Sequence, residues 1–257
     1  MQHNLFTEAE ITTSSPAIAK PFVSRSTFYM GDCLVEMDKI ADKSVDMILC
    51  DLPYETTWAK WDKKISANNL WLQYNRIIKN NCPVVLFSSQ PFTTQIISSN
   101  IDNYKYTWYW VKDNKGNYLN AKRQPLRQLE EINVFYKHNY YPQGLIDLKK
   151  QVSKGNRAAT TMLNYSSDYY QEKTGYPSNV IYYGLDRDNI HPTQKPVSLM
   201  EYLIKTYTNE GETVLDNCMG SGTTGVACKK TNRHFIGIEK DEGYYHAAVS
   251  RVSAYCG

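Results

Sequence analysis

No apolar run in this chain approaches the roughly 20 residues that cross a bilayer, and its first residues carry no apolar signal-peptide core. Membrane insertion and export are therefore not expected, and a cytoplasmic location is. Six cysteines stand at positions 33, 50, 82, 218, 228 and 256, and no two form a CxxC pair. That spacing excludes a thiolate zinc cage, and no metal is expected. Scattered thiols suit a reducing compartment. There are no internal repeats. The net charge is only +3, too small by itself to imply a polyanionic partner.

The distribution of charge says more. Residues 105–157 hold eleven Lys and Arg against four Asp and Glu, a net +7 that leaves −4 for the rest. A basic block in an otherwise acidic chain is the electrostatic footprint of a polyanion site. A solvated, lysine-rich insert would look the same, so charge alone leaves both open.

Regular elements flank this block. Residues 28–30 read as a strand, 34–40 as a helix, and 45–50 as a nearly continuous apolar run of the buried parallel-strand kind. A helix over 69–79, a strand over 84–87 and a helix over 91–99 follow. Residues 104–111 and 132–136 suit paired strands around a basic loop. In Trp108-Tyr109-Trp110 the aromatics suit either base stacking or core packing. Residues 137–190 show little period. Order then returns with a helix from Pro196 to Tyr207, strands at 214–216 and 235–239, and helices at 223–230 and 241–252. Alternating strand and helix predicts a parallel sheet with helices on both faces.

Two motifs sit at strand ends. The first is Asp216-Asn217-Cys218-Met219-Gly220-Ser221-Gly222-Thr223-Thr224-Gly225, between a strand and a helix. Glycines let backbone approach a ligand, a helix N-terminus offers free N–H groups to an anion, and a side chain at Gly222 is expected to occupy the ligand's path. Glu239 ends the next strand, where a carboxylate can accept from ribose hydroxyls. Residues 220–225 also satisfy G-x-G-x-x-G, so a dinucleotide site competes. Yet only 32 residues follow Gly225, too few for the rest of such a domain unless the order is permuted. The second motif, Asp51-Leu52-Pro53-Tyr54, puts a carboxylate, a stiffened turn and an aromatic plane at one strand end.

Taken in order, Gly31-Asp32-Cys33-Leu34, Ser44-Val45-Asp46, Asp51–Tyr54, His191-Pro192-Thr193-Gln194-Lys195-Pro196, the 220–224 loop and residues 235–239 resemble the β-class DNA amino-methyltransferases. The resemblance spans residues 27–252 apart from 137–190. It implies an α/β Rossmann-like methyltransferase fold: a mostly parallel twisted sheet, circularly permuted motif order and an inserted target-recognition region. The implied division is a flexible arm at 1–25, a catalytic half at 26–111, the insert at 112–189 and a cofactor half at 190–257.

The implied cofactor is S-adenosyl-L-methionine. Asp216, Gly220, Ser221, Gly222, Thr223 and Thr224 would surround its methionine part, with Lys195 on its carboxylate. Glu239 would hold the ribose, and Asp32 and Cys33 would meet the adenine ring. Asp51, Leu52, Pro53 and Tyr54 would hold a flipped target base. The implied partner is double-stranded DNA, gripped by Lys112, Lys115, Lys122, Arg123, Arg127, Lys149, Lys150 and Lys154. A homodimer and a cognate restriction endonuclease are further expected partners. Asp at the head of the tetrad points to adenine N6. Cytosine N4, an RNA target and a non-catalytic binding module are the alternatives. Methylation at cytosine carbon is not expected, because no Pro-Cys pair occurs; Asn81-Cys82-Pro83 has the reverse order. The chain departs from the family at Leu52, where proline is usual, and at Asn217-Cys218, where Pro-Phe is usual.

Overall fold

The computed structural model describes residues 24–54, 65–152, 169–187 and 194–255, with main chain only at 149–152 and 169–170. The His191–Thr193 part of one motif, Lys154 and nearly all of the expected N-terminal arm lie outside these residues. Five strands run parallel in the order β1 (Ser26–Met30), β10 (His234–Glu239), β9 (Thr213–Asp216), β2 (Met47–Asp51), β3 (Val84–Ser88). On β3 the sheet turns antiparallel through β5 (Arg127–Phe135) and β4 (Tyr104–Gly116), and β8 (Val180–Tyr182) closes the edge. A separate antiparallel pair joins β6 (Ile146–Val152) to β7 (Tyr169–Thr174).

The apolar runs belong to strands buried on both faces, and the two-residue period sorts their side chains. Met47, Leu49, Val85 and Phe87 face one core cluster, covered by α4 (Val197–Tyr207), α5 (Thr223–Lys230) and α6 (Glu242–Ala254). Ile48, Cys50, Val84 and Leu86 face the other, covered by α1 (Cys33–Glu36), α2 (Ala67–Ile77) and α3 (Phe92–Ser98). Trp108 and Trp110 settle into the first cluster, and their indole N–H groups donate to Tyr207 Oη at 2.6 Å and the Tyr183 carbonyl at 2.8 Å. Core packing is therefore their role.

Two expectations change. Helix α1 has only four residues and passes into a 3₁₀ turn over Met37–Lys39. Residues 112–189 are not all insert: β4 runs on to Gly116, and β5 lies inside the main sheet between β3 and β4. The reason is burial. Ile132, Asn133, Val134 and Phe135 are all covered, and the one polar side chain among them is satisfied, Asn133 accepting from Thr107 and donating to Ser88. The hairpin tip between β4 and β5 and the β6–β7 pair remain outside the sheet.

Strand β2 leads through α2 to β3 on one side, and β9 leads through α5 to β10 on the other. Their helices therefore cover opposite faces. The order reverses between β2 and β9, the place where open α/β sheets bind ligands.

Candidate active site

All five parallel strands point the same way, so Asp32, Asp51, Asp216 and Glu239 gather at one edge. They line a cleft of about 970 Å³. Leu52, Pro53, Tyr54, Cys33, Lys195, Gly220, Ser221, Thr223 and Thr224 line it too. Two stretches some 165 residues apart in sequence thus meet, because Met47 and Ile48 of β2 pair with Val214 and Leu215 of β9.

In the 51–54 turn, the Asp51 carboxylate has two donors. Tyr54 hydroxyl donates to Oδ1 at 2.5 Å and Lys195 Nζ to Oδ2 at 2.6 Å. The Tyr54 ring stacks on Phe92, centroids 5.1 Å apart at 27°. Burial, reinforced by the Asp51 charge, pushes the Tyr54 hydroxyl well above its ordinary pKa, which keeps it a donor. Lys195 Nζ also lies 3.2 Å from Glu130 Oε2, and Glu130 Oε1 accepts from Lys112 at 2.8 Å. Burial alone would lower the pKa of Lys195, but Asp51 and Glu130 outweigh it and the ammonium is favoured. Burial likewise works to raise Glu130, and Lys195 and Lys112 bring it below the usual carboxylate value. Lys195, expected to pair with a cofactor carboxylate, lines the cleft with its ammonium between two carboxylates of the protein.

Across the cleft, the loop after β9 is ordered by its own acids. Thr224 hydroxyl and the Cys218 N–H donate to Asp216 at 2.5 and 3.1 Å. Burial nevertheless pushes Asp216 up to about 7. Glu239 accepts from the backbone N–H of Gly220 at 2.8 Å and of Lys240 and Asp241 at 2.9 Å. Asp32 caps α1 through the Leu34 N–H and pairs with Lys240 at 3.0 Å. At the departure from the family pattern, Asn217 accepts from the Tyr74 hydroxyl at 2.6 Å. Gly222 does not line the cleft, and its expected reason is corrected. Its φ is +76°, and an added Cβ would lie 3.0 Å from Ala248 Cβ, so helix α6 and the left-handed backbone demand glycine there.

Of the expected DNA contacts, Lys112 is held in the Glu130 pair with its side chain 18% exposed. Lys115, Lys122, Arg123 and Arg127 are exposed around the β4–β5 tip, and Arg127 also lines the cleft. Tyr118 and Leu119 stand exposed on that tip, Leu119 completely. Lys149 and Lys150 lie on β6, away from the main sheet.

The sequence profile of the N6/N4-type DNA methylases matches residues 45–250. The chain belongs to that family. Among relatives of this DNA methylase, the type II methyltransferase M.HindIII of Haemophilus influenzae is 23% identical, covering 87% of this chain and 94% of its own length. The DNA adenine methyltransferase YhdJ of Escherichia coli is 29% identical, covering 88% and 82%. The solved complex of M1.HpyAVI with SAM superposes with a TM-score of 0.59 at 27% identity, covering 88% of this chain and 99% of the other. The PvuII cytosine-N4-specific enzyme shares the fold, with a TM-score of 0.64 at 15% identity over 89% of this chain and 86% of its own.

As a family member the methylase uses S-adenosylmethionine, and its site suits that molecule. A backbone loop with Gly220 at φ +49° borders a cleft carrying carboxylates for the ligand's cations and hydroxyls. Among the described residues no His/Cys/Asp/Glu group could hold a metal ion, and no helix is long and apolar enough to cross a membrane. Sequence reasoning missed Glu130, which carries no motif of its own. It also missed Arg251 of α6, whose Nη1 donates to Ser221 O and Thr223 Oγ1, both at 3.1 Å, and so clamps the loop from behind.

Proposed function

We propose that this methylase transfers a methyl group to the exocyclic N6 of adenine in double-stranded DNA. The meeting of the 51–54 turn with the carboxylate-lined glycine loop in one cleft carries the reading. Adenine is favoured by Asp at the head of the tetrad and by the likeness to YhdJ, named a DNA adenine methyltransferase.

Bound S-adenosylmethionine supplies an electrophilic methyl group on a sulfonium. Glu239, held by three backbone N–H groups, would hold the ribose hydroxyls, and Asp32 and Cys33 would meet the adenine ring. Asp216, Gly220, Ser221, Thr223 and Thr224 would surround the methionine part. An exocyclic amine is a poor nucleophile while its lone pair is delocalised into the ring. The Asp51 carboxylate and the Leu52 carbonyl accept its two hydrogens and favour a pyramidal nitrogen. Each carboxylate oxygen offers two lone pairs, so the bonds from Tyr54 and Lys195 leave acceptor capacity. Pro53 stiffens the turn, and Tyr54 offers a face to the extruded base. Positioning supplies much of the catalysis. The exposed cations of the β4–β5 tip, with Lys149, Lys150 and Lys154, contact phosphates. The relatives named type II methyltransferases favour a restriction–modification setting.

The test is incubation with radiolabelled cofactor and duplex DNA of mixed sequence, followed by nucleoside analysis. Labelled N6-methyladenine is expected, and none with Asp51→Ala. Label in N4-methylcytosine would overturn the choice of adenine. No label in either base would overturn the reading itself.

A further inference from the structure

Glu130 belongs to none of the motifs, yet it sits at the centre of the charged groups behind the 51–54 turn. A chain of alternating charge runs from Lys112 on β4 to Glu130 on β5, to Lys195 ahead of α4, and to Asp51 at the end of β2, with separations of 2.8, 3.2 and 2.6 Å. Lys195 and Glu130 are largely shielded, at 8% and 16% side-chain exposure. Lone buried charges are costly, so each member depends on its neighbours. The joint between Lys195 and Glu130 is the loose one. Glu130 Oε2 makes no full hydrogen bond among the described residues, and the ammonium stands 3.2 Å away.

We propose that Glu130 is a positioning residue for methyl transfer: it shares the Lys195 ammonium with Asp51 and so sets the orientation and acceptor strength of the Asp51 carboxylate. A cation bound to Asp51 alone would draw charge away from the amine that Asp51 must polarise. With Glu130 on its other side, the ammonium fixes Asp51 without neutralising it. No cation in that place would leave two carboxylates facing each other, and one would take a proton. Among the described residues, Tyr54, Asp216 and Cys50 are the other titratable groups that act on Asp51, and Lys112 and Tyr54 the others that act on Glu130. This inference rests on the proposed role of Asp51.

The test compares Glu130→Gln, Lys195→Met and the double variant, with folding checked by circular dichroism and cofactor binding by calorimetry. Glu130→Gln is expected to lower kcat at least tenfold while KM for the cofactor stays within about twofold, and to move the acid limb of the pH–rate profile to lower pH. Lys195→Met should move that limb to higher pH. The double variant should turn over faster than Lys195→Met alone, with its acid limb back near the parent's, because the facing carboxylates are gone. A parental kcat and pH profile in Glu130→Gln would overturn the proposal, as would a double variant no faster than Lys195→Met. Should the parent chain methylate no DNA, the functional reading fails instead. The ¹⁵N ammonium resonance of Lys195 in cofactor-free protein then decides the charge chain. It should shift in Glu130→Gln, and an unmoved resonance would refute the sharing.

Discussion

Asp51 and Asp216 tip adjacent strands, but their surroundings part them. Asp51 is partly open and carries two strong donors, whereas Asp216 is buried and pushed up to about 7. Its ionised form grows as pH rises through that value, and a cationic ligand prefers it. Cofactor affinity should therefore rise with pH up to about 7 and level off above, and Asp216→Asn should flatten the curve; calorimetry across that range reads it. Stability of the free protein should run the other way. A carboxyl with a folded pKa of about 7 against 3.8 unfolded holds its proton more tightly when folded, so stability declines as pH climbs between those values. Thermal melts of the parent should show this decline and those of Asp216→Asn should lack it. Glu239→Ala should weaken cofactor binding by roughly 1–3 kcal/mol, since it removes a charged acceptor. Unchanged affinity would take Glu239 out of the site. These acids were legible in the sequence because each ends an apolar strand, Asp51 ahead of a proline turn and Asp216 ahead of a glycine loop. Glu130 was not, because its partners lie 18 and 65 residues away and an ion pair leaves no periodic trace. Gly222 was legible as a necessary glycine but not for its reason, which sits on a helix 26 residues further on.

Among the elements, the β4–β5 hairpin links the sheet to the exposed cations. The sequence showed paired strands at 104–111 and 132–136 but left the outer ends of both legs as loop, because Lys112, Asp113, Lys115, Glu130 and Glu131 interrupt any apolar alternation. Ladder pairing and the Lys112–Glu130 ion pair carry the strands past that point. Neutralising Lys115, Lys122 and Arg123 together should weaken binding to matched and unrelated duplexes by similar factors. Each lost phosphate contact should reduce the log–log salt slope by about 0.9. A salt titration under non-turnover conditions reads both; an unchanged slope would move the DNA grip to another surface. Leu119→Ser should leave that slope alone, because the residue carries no charge. Its complete exposure on a basic tip also predicts an unchanged melting temperature.

For the whole molecule, the motif order was enough to foresee a permuted α/β sheet, and the alternation along β2 and β3 sorts its two cores as the strand period requires. The stability of that sheet is concentrated in side chains such as Trp110, which is 1% exposed and packs edge-on against Phe87 with ring centroids 6.4 Å apart. Trp110→Ala should cost about 3–5 kcal/mol in equilibrium unfolding. A loss below about 1 kcal/mol would mean the core refills the space.

The pairing of β1 with β10 also sets a timetable for synthesis. Ser26 pairs with Phe235, a partner translated 209 residues later. At about 5–20 residues per second, β1 waits roughly 10–40 s for its neighbour. The cleft cannot be completed until β10 has emerged, because Glu239, whose carboxylate holds the Gly220 N–H of the earlier loop, arrives with that strand. A ribosome-bound chain that stops short of it would carry the 217–224 loop without the carboxylate that holds Gly220, so methylation begins only once translation has passed β10.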